Sequence, residues 1–302
     1  RHLRPTVESE VHVSTAFVLS GGANLGALQV GMLRALAERG IRPDALVATS
    51  AGALNAAYIA DRGLTSEVVE SLGEVWRSLS AWQLFRPGAR QLLGAFTGRQ
   101  SALFSSRGLR SLIETHLDFD RIEEAATPLT VVATDLLTGD QVDIDHGPAA
   151  EAVLASSAIS GIFPAVAFNG RILVDGGVAD NTPVSHAVES GSDIVYVLPC
   201  GYPCALVEPP TTVAGTILHT MSLLIQQRLV RDIREYTSSV DLRVVPPPCP
   251  LDVGPLDFSN ADELIARGYD SACHFLDVDE GRRAAPADHI DFHVHATPGL
   301  RR

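Results

Sequence analysis

Residues 15–61 read TAFVLSGGANLGALQVGMLRALAERGIRPDALVATSAGALNAAYIAD. They carry one device twice: an apolar strand, a turn of small residues, then a helix. Ala16 to Leu19 is a short continuous apolar run, the pattern of a strand buried on both faces of a parallel sheet. After Gly26 the period lengthens. Leu28, Met32 and Leu36 recur every four residues, which predicts a helix that Gly40 closes and Pro43 keeps closed. Residues 45–49 repeat the strand and residues 51–62 repeat the helix, rich in alanine and ending at Gly63.

The two turns differ in chemistry. The first is Gly21-Gly22-Ala23-Asn24-Leu25-Gly26; the second, Ala48-Thr49-Ser50-Ala51-Gly52, puts a potential nucleophile at its apex. A sharp strand-to-helix turn exposes a serine hydroxyl, and such a turn is crowded, so its neighbours must be small. The helix that follows points its positive end at the reacting centre, and the N–H of Ala51 becomes an oxyanion donor. Gly21, Gly22 and Ala23 would expose further N–H groups to the same negative charge. A phosphate-binding reading of the glycine turn is weaker, because G-G-A-N-L-G lacks the third-position glycine of G-x-G-x-x-G.

A serine hydroxyl needs a base. Asp175 is the best-placed carboxylate: it closes an apolar strand and precedes Gly176 and Gly177, a position that projects a side chain from a strand end. Asn169-Gly170 between apolar runs predicts a hairpin of 165–168 with 171–174 leading straight into it. Elsewhere the spacing predicts helices over 65–79, 149–157, 183–191, 213–236 and 262–276, with another starting at Ser105 or Ser106. Strands are expected at 129–134, 141–144, 193–198 and 240–245. Alternating strands and helices argue for one layered α/β domain over 15–280, with an irregular arm at 1–14 and a tail at 281–302. Residues 80–104 mix Gly and Pro with Trp82, Phe85, Leu92, Leu93 and Phe96. They read either as a mobile lid or an apolar lip that meets a fatty substrate or a membrane surface, or as an ordinary packed loop with a short helix.

The formal net charge is −13, and all 23 basic residues are Arg. An acidic surface excludes a nucleic-acid partner and purely electrostatic docking on anionic lipid. No uninterrupted apolar run is long enough for a membrane span, and residues 1–14 contain no apolar leader core, so a cytoplasmic home is expected. Four cysteines are too few for a disulfide scaffold. Cys200-Gly-Tyr-Pro-Cys204 is a metal or disulfide motif only on its face, since no second pair completes a zinc site; two plain loop thiols are the expectation.

These motifs together resemble the patatin-like phospholipases. The likeness rests on Gly21–Gly26 as oxyanion loop, Thr49-Ser50-Ala51-Gly52 as elbow and Asp175-Gly176-Gly177 as base motif, with ATDLLTG at 133–139, SSAISGIFPAV at 156–166 and VADNTPV at 178–184 in support. It implies a three-layer α/β/α sandwich with a mainly parallel sheet. It further implies a lipid acyl hydrolase in which Ser50 attacks, Asp175 is the base without a histidine, an acyl-enzyme forms, and neither metal nor cofactor takes part. Three positions depart from the family pattern: Ala48 and Ala23 stand where glycine is usual, and Leu25 where Arg or Lys is usual.

Three other readings compete. A Ser-Asp-His triad would draw on His274, His289, His293 or His295. His289, Asp291, His293 and His295 would share one face of an extended strand as metal ligands, although a solvated tail strand fits them better. A catalytically weak or inactive lipid-binding relative would keep the fold without the activity.

Overall fold

A computed structural model describes residues 13–85, 101–201, 209–251, 253–254 and 257–292. The opening device folds as its period dictates: β1 Thr15–Leu19, α1 Gly26–Glu38, β2 Ala45–Thr49 and α2 Ala51–Arg62. There follow α3 Ser66–Ser78, capped by the Thr65 side chain, the short α4 Ala81–Leu84, and α5 Arg107–His116. The remaining elements are β3 Leu129–Asp135, β4 Gln141–Ile144, α6 Ala149–Ser156, β5 Val166–Phe168, β6 Arg171–Asp175, α7 Val184–Glu189, β7 Ile194–Leu198, α8 Val213–Tyr236, β8 Asp241–Val244 and α9 Ala261–Leu276. Asn169 and Gly170 both adopt positive φ, 46° and 79°, as a type I′ hairpin turn requires.

The strands form one sheet whose hydrogen-bonded path runs β5-β6-β3-β2-β1-β7-β8, with β4 also pairing β3. β1, β2, β3, β7 and β8 are parallel, and β4, β5 and β6 run antiparallel to their partners. Alternate side chains of each parallel strand face opposite layers. Phe17, Leu19, Leu46, Val131 and Leu198 meet α1, α2, α6 and α9, whereas Val18, Val47, Val132 and Val197 meet α7 and α8. The molecule is the expected α/β/α sandwich with a mainly parallel sheet.

The registers around β3 place the site. β4 pairs residues 131–134 of β3, which occupies one edge of that strand. The other edge is shared: β2 takes residues 129–132 and β6 takes 133–135. β2 ends going up where β6 ends coming down, so the residue after Thr49 and the last residue of β6 are brought end to end.

Two expectations change. Residues 281–292, read as a tail, reach the core: a short 3-10 turn, Pro286–His289, packs by α8, and Ile290 is buried. That turn also replaces an extended strand at His289, and Asp291 is salt-bridged to Arg234; His293 and His295 lie outside the described residues. Of the two readings of residues 80–104, the packed loop describes Phe85, which packs among Phe104, Phe163 and Phe258, whereas Trp82 is exposed. Residues 86–100, including Leu92, Leu93 and Phe96, lie outside the described residues.

α1 and α9 cross through two glycines. A Cβ on Gly268 would sit 2.2 Å from the Leu28 carbonyl oxygen, and one on Gly31 would sit 2.1 Å from that of Ile265. Neither backbone can yield without parting the helices. We expect Gly268→Ala to destabilise the fold by about 1–3 kcal/mol. Gly73→Ala, within α3 and facing only the flexible end of Arg77 at 3.4 Å, should stabilise it by about 0.5–1 kcal/mol. Urea midpoints of the two variants check both signs.

Candidate active site

Ser50 follows β2 with φ 53° and ψ −121°, a left-handed conformation that a residue with a Cβ adopts only under constraint. Three contacts impose it. The Ser50 N–H donates to Ser156 Oγ at 2.8 Å, and Ser156 Oγ in turn donates to the Val132 carbonyl at 2.6 Å. The Ser50 carbonyl accepts from Ala53 and Leu54, opening α2. The Ser50 hydroxyl donates to Asp175 Oδ2 at 2.6 Å.

Asp175 is itself fixed. Its Oδ1 accepts the Gly177 N–H at 2.8 Å, its N–H donates to the Ala158 carbonyl, and its carbonyl accepts from Thr134 Oγ1 at 2.9 Å. Gly176 must be glycine, because a Cβ there would lie 2.2 Å from the Val132 carbonyl oxygen and 2.9 Å from Thr49 Cγ2. Burial pushes the Asp175 carboxyl up to about 6, against the pull of its bonds to Ser50 and Gly177.

The glycine-rich loop leaves β1 beside this pair. The Gly21 N–H donates to the Asn181 carbonyl at 3.0 Å, and Asn181 Nδ2 returns a bond to the Gly21 carbonyl at 3.1 Å. Among the described residues no protein group accepts from the amides of Gly22, Ala23 or Ala51. Ala23 takes φ 50°, so the methyl that replaces the family's glycine is carried in a left-handed conformation. Leu25 and Ala48 are buried in the core, and Gly26 opens α1 with its carbonyl held by Asn55 Nδ2. Gly52 lies in the first turn of α2, and Gly177 in the turn after Asp175.

Ser50, Asp175, Gly21, Gly22 and Ala23 line one cavity of about 190 Å3, together with Leu25, Ile159, Met221, Ile225 and Cys200. The lining is mainly apolar, and Asp175 is its one ionisable carboxylate among the described residues. No histidine among the described residues lines it, and His274 lies exposed near the end of α9. Cys200 is a free, buried thiol, so the Cys200–Cys204 bridge is not formed. Burial pushes that thiol up to about 12, which makes it a neutral wall and not a nucleophile. Among the described residues no group of three or more His, Cys, Asp or Glu side chains is arranged to hold a metal ion.

Sequence reasoning did not single out Ser156, Asn181, Gln29, Asn55 or Trp76. The last three form a buried chain: Trp76 Nε1 donates to Asn55 Oδ1, Asn55 Nδ2 to Gln29 Oε1, and Gln29 Nε2 to the carbonyls of Ser20 and Leu198. It ties α3, α2 and α1 to the strand ends that carry the loop. Uncharged polar residues inside otherwise apolar helical stretches were the available signal.

Fold and site define a class: an α/β/α protein with a serine elbow at the C-terminal edge of the sheet, paired with an aspartate beside a glycine-rich loop. The family model described as Patatin-like phospholipase matches residues 17–188, more than half of the chain, and the chain belongs to that family. "Patatin-like phospholipase domain-containing protein 7" of Rattus norvegicus is 29% identical over 188 residues, 62% of this chain and 13% of that protein. "Lysophospholipase NTE1" of Pyricularia oryzae is 27% identical over 310 residues, covering 89% of this chain and 19% of its own length. The chain thus spans less than a fifth of these two relatives. Among solved structures, VipD from Legionella pneumophila aligns with 89% of this chain and 67% of its own, at 15% identity and a TM-score of 0.46.

Two outcomes follow from the geometry. Ser156→Ala leaves the Ser50 N–H unpaired in the interior and should lower kcat by about 10- to 100-fold with KM little changed, read by steady-state kinetics on a soluble ester. Asp175 titrates higher folded than unfolded, so the stability linked to it is fully present below about pH 4 and is lost as pH rises through about 6. Asp175→Asn should therefore stabilise the protein by about 3 kcal/mol at pH 7 and by nothing below pH ~4, while activity is lost. Denaturant midpoints at the two pH values test the sign.

Proposed function

We propose that this chain is a serine acyl hydrolase that cleaves fatty-acyl esters of lipids through Ser50 and Asp175. The observation that carries the reading is the 2.6 Å hydrogen bond from Ser50 Oγ to a buried carboxylate, made at the rim of an apolar cavity. A solvated aspartate is too weak a base near neutral pH, but one raised to about 6 is ionised at pH 7 and basic enough to take a proton.

In the first step Asp175 takes the Ser50 proton as Oγ bonds to the ester carbonyl carbon. The carbonyl oxygen becomes an oxyanion. The amides of Gly22, Ala23 and Ala51 receive it, while Gly21, whose N–H is committed to Asn181, holds the loop in place. Collapse expels the alcohol, which takes the proton from Asp175 and leaves an acyl-Ser50. Water then loses a proton to Asp175 and attacks the same carbon. The second collapse releases the fatty acid and returns the proton to Ser50.

The cavity favours the acyl part. Its walls are Leu25, Ile159, Met221 and Ile225, and no cation among the described residues lines it. The nearby cation, Arg228 on α8, is committed to Asp180 at 2.8 Å and to Asp232 at 3.3 Å. Selectivity then rests on the chain and not on pairing with an anionic head group.

A fluorophosphonate probe tests the reading. We expect covalent labelling at Ser50, none in Ser50→Ala, and at least tenfold slower labelling in Asp175→Asn. His274→Ala and His289→Ala should label at the wild-type rate. Folded wild-type protein that takes no label would favour a non-catalytic lipid-binding role, and loss of labelling in a histidine variant would favour a triad.

A further inference from the structure

We infer that the N-terminal half of α8 is the face on which this protein docks to a zwitterionic lipid surface, next to the mouth of the catalytic cavity. The inference rests on the acyl-hydrolase reading for its choice of occupant and on the helix for its location.

α8 has 24 residues, a length of roughly 36 Å. Its second half is anchored in the layer beneath the sheet, where Leu229, Val230 and Ile233 are buried. Its first half leaves one face exposed. Val213, Ile217, Met221 and Leu224 are 79%, 56%, 39% and 63% exposed, and their spacing of four, four and three places them on one face. Scattered exposed aliphatic residues need no explanation, but a stripe of them does.

The charge pattern is as uneven as the burial. Charged residues make up 20% of the chain, yet residues 209–227 contain none. The hydroxyls present are largely satisfied within the helix: Thr216 Oγ1 donates to the Thr212 carbonyl and Thr220 Oγ1 to the Thr216 carbonyl. This half-helix therefore offers apolar area and little that resists leaving water. Arg228 is the first charge after it, and Arg228 is already paired.

The stripe is continuous with the site. Met221 lines both the cavity around Ser50 and an adjoining groove of about 270 Å3. Val178, three residues after Asp175 and 55% exposed, lines both as well. A surface that meets the stripe meets the cavity mouth.

Charge selects the occupant. A protein of formal net charge −13 is repelled by an anionic bilayer, and the uncharged face has no cation to recover that cost. It equally has no charge with which to register a polar protein partner. An uncharged apolar stripe suits a surface that presents acyl chains under zwitterionic head groups. None of the described helices is long and apolar enough to cross a membrane, and an apolar stripe on one helix face suits lying in the surface plane.

The test uses the whole chain in an inactive Ser50→Ala background, so that binding is read without turnover. Flotation with phosphatidylcholine vesicles should show partition that falls about tenfold or more in Val213→Gln/Ile217→Gln. Neither residue lines the cavity or the groove. With Ser50 restored, the double variant should keep its thermal midpoint and its rate on a soluble short-chain ester, and lose hydrolysis of vesicle lipid in step with binding. Adding phosphatidylserine should weaken partition. Equal partition of parent and double variant overturns the proposal. So does a parent that ignores vesicles but self-associates through these side chains in sedimentation. Vesicle binding that depends on Val213 and Ile217 in a protein hydrolysing no ester supports the docking face and removes the hydrolase reading alone.

Discussion

The 2.6 Å hydrogen bond between Ser50 and Asp175 depends on how β3 divides one of its edges. A strand edge offers a single lane of backbone partners. Here β2 fills the lower part of that lane and β6 the upper part, entering from opposite directions. Ser50, the residue after β2, and Asp175, the last of β6, are driven toward each other, 125 positions apart in sequence and one hydrogen bond apart in space. Gly176 is the consequence at the junction, since the chain turning out of β6 must pass against the Val132 carbonyl and leaves no room for a Cβ. The pair is thus a product of sheet register before it is a product of side-chain choice.

Holding a serine at φ 53° costs about 1–3 kcal/mol, and the surrounding bonds determine where that strain is kept. Ser156 spans from the elbow to β3, so α6 holds the turn against the sheet. Asn181 does the same for the glycine loop, exchanging two bonds with Gly21. Gln29 closes the underside by bonding the ends of β1 and β7 at once. The loop, the elbow and the base are therefore three parts of one hydrogen-bonded unit. Ala23, also at positive φ, is tolerated inside it because both neighbours of the loop are anchored.

Much of this was legible in the sequence, and the division between legible and not has a physical basis. The opening device announced itself because a change of hydrophobic period from continuous to four-residue spacing is local information. The Asn169-Gly170 hairpin did so because only a few residue pairs accept two positive φ angles. Ser156 and Asn181 fell inside quoted motifs, but their tasks were invisible because their partners lie 106 and 160 positions away. Phe85 was left between two readings for a related reason: an aromatic residue in a loop looks exposed until the fold brings Phe104, Phe163 and Phe258 to it. α8 shows the converse. Its period marked the helix correctly, but periodicity alone does not say that one half is buried and the other bare.

A carboxylate can serve a serine directly only if its environment does what a histidine's chemistry does unaided. Histidine titrates near neutrality in water; aspartate titrates near 4. Burial closes most of that gap for Asp175 by raising it to about 6, and the same burial makes its ionised form expensive. The two bonds that partly restore the charge, from Gly177 N–H and from Ser50 Oγ, come from the turn it begins and from the proposed nucleophile. Any further donor to the carboxylate would stabilise the ion and weaken the base. Any fewer would push the carboxyl further up and favour its protonated form. In the proposed mechanism the apolar cavity wall of Leu25, Ile159 and Ile225 therefore bears on the base as well as on the acyl chain. Replacing those side chains by polar ones would disturb proton transfer as much as substrate fit.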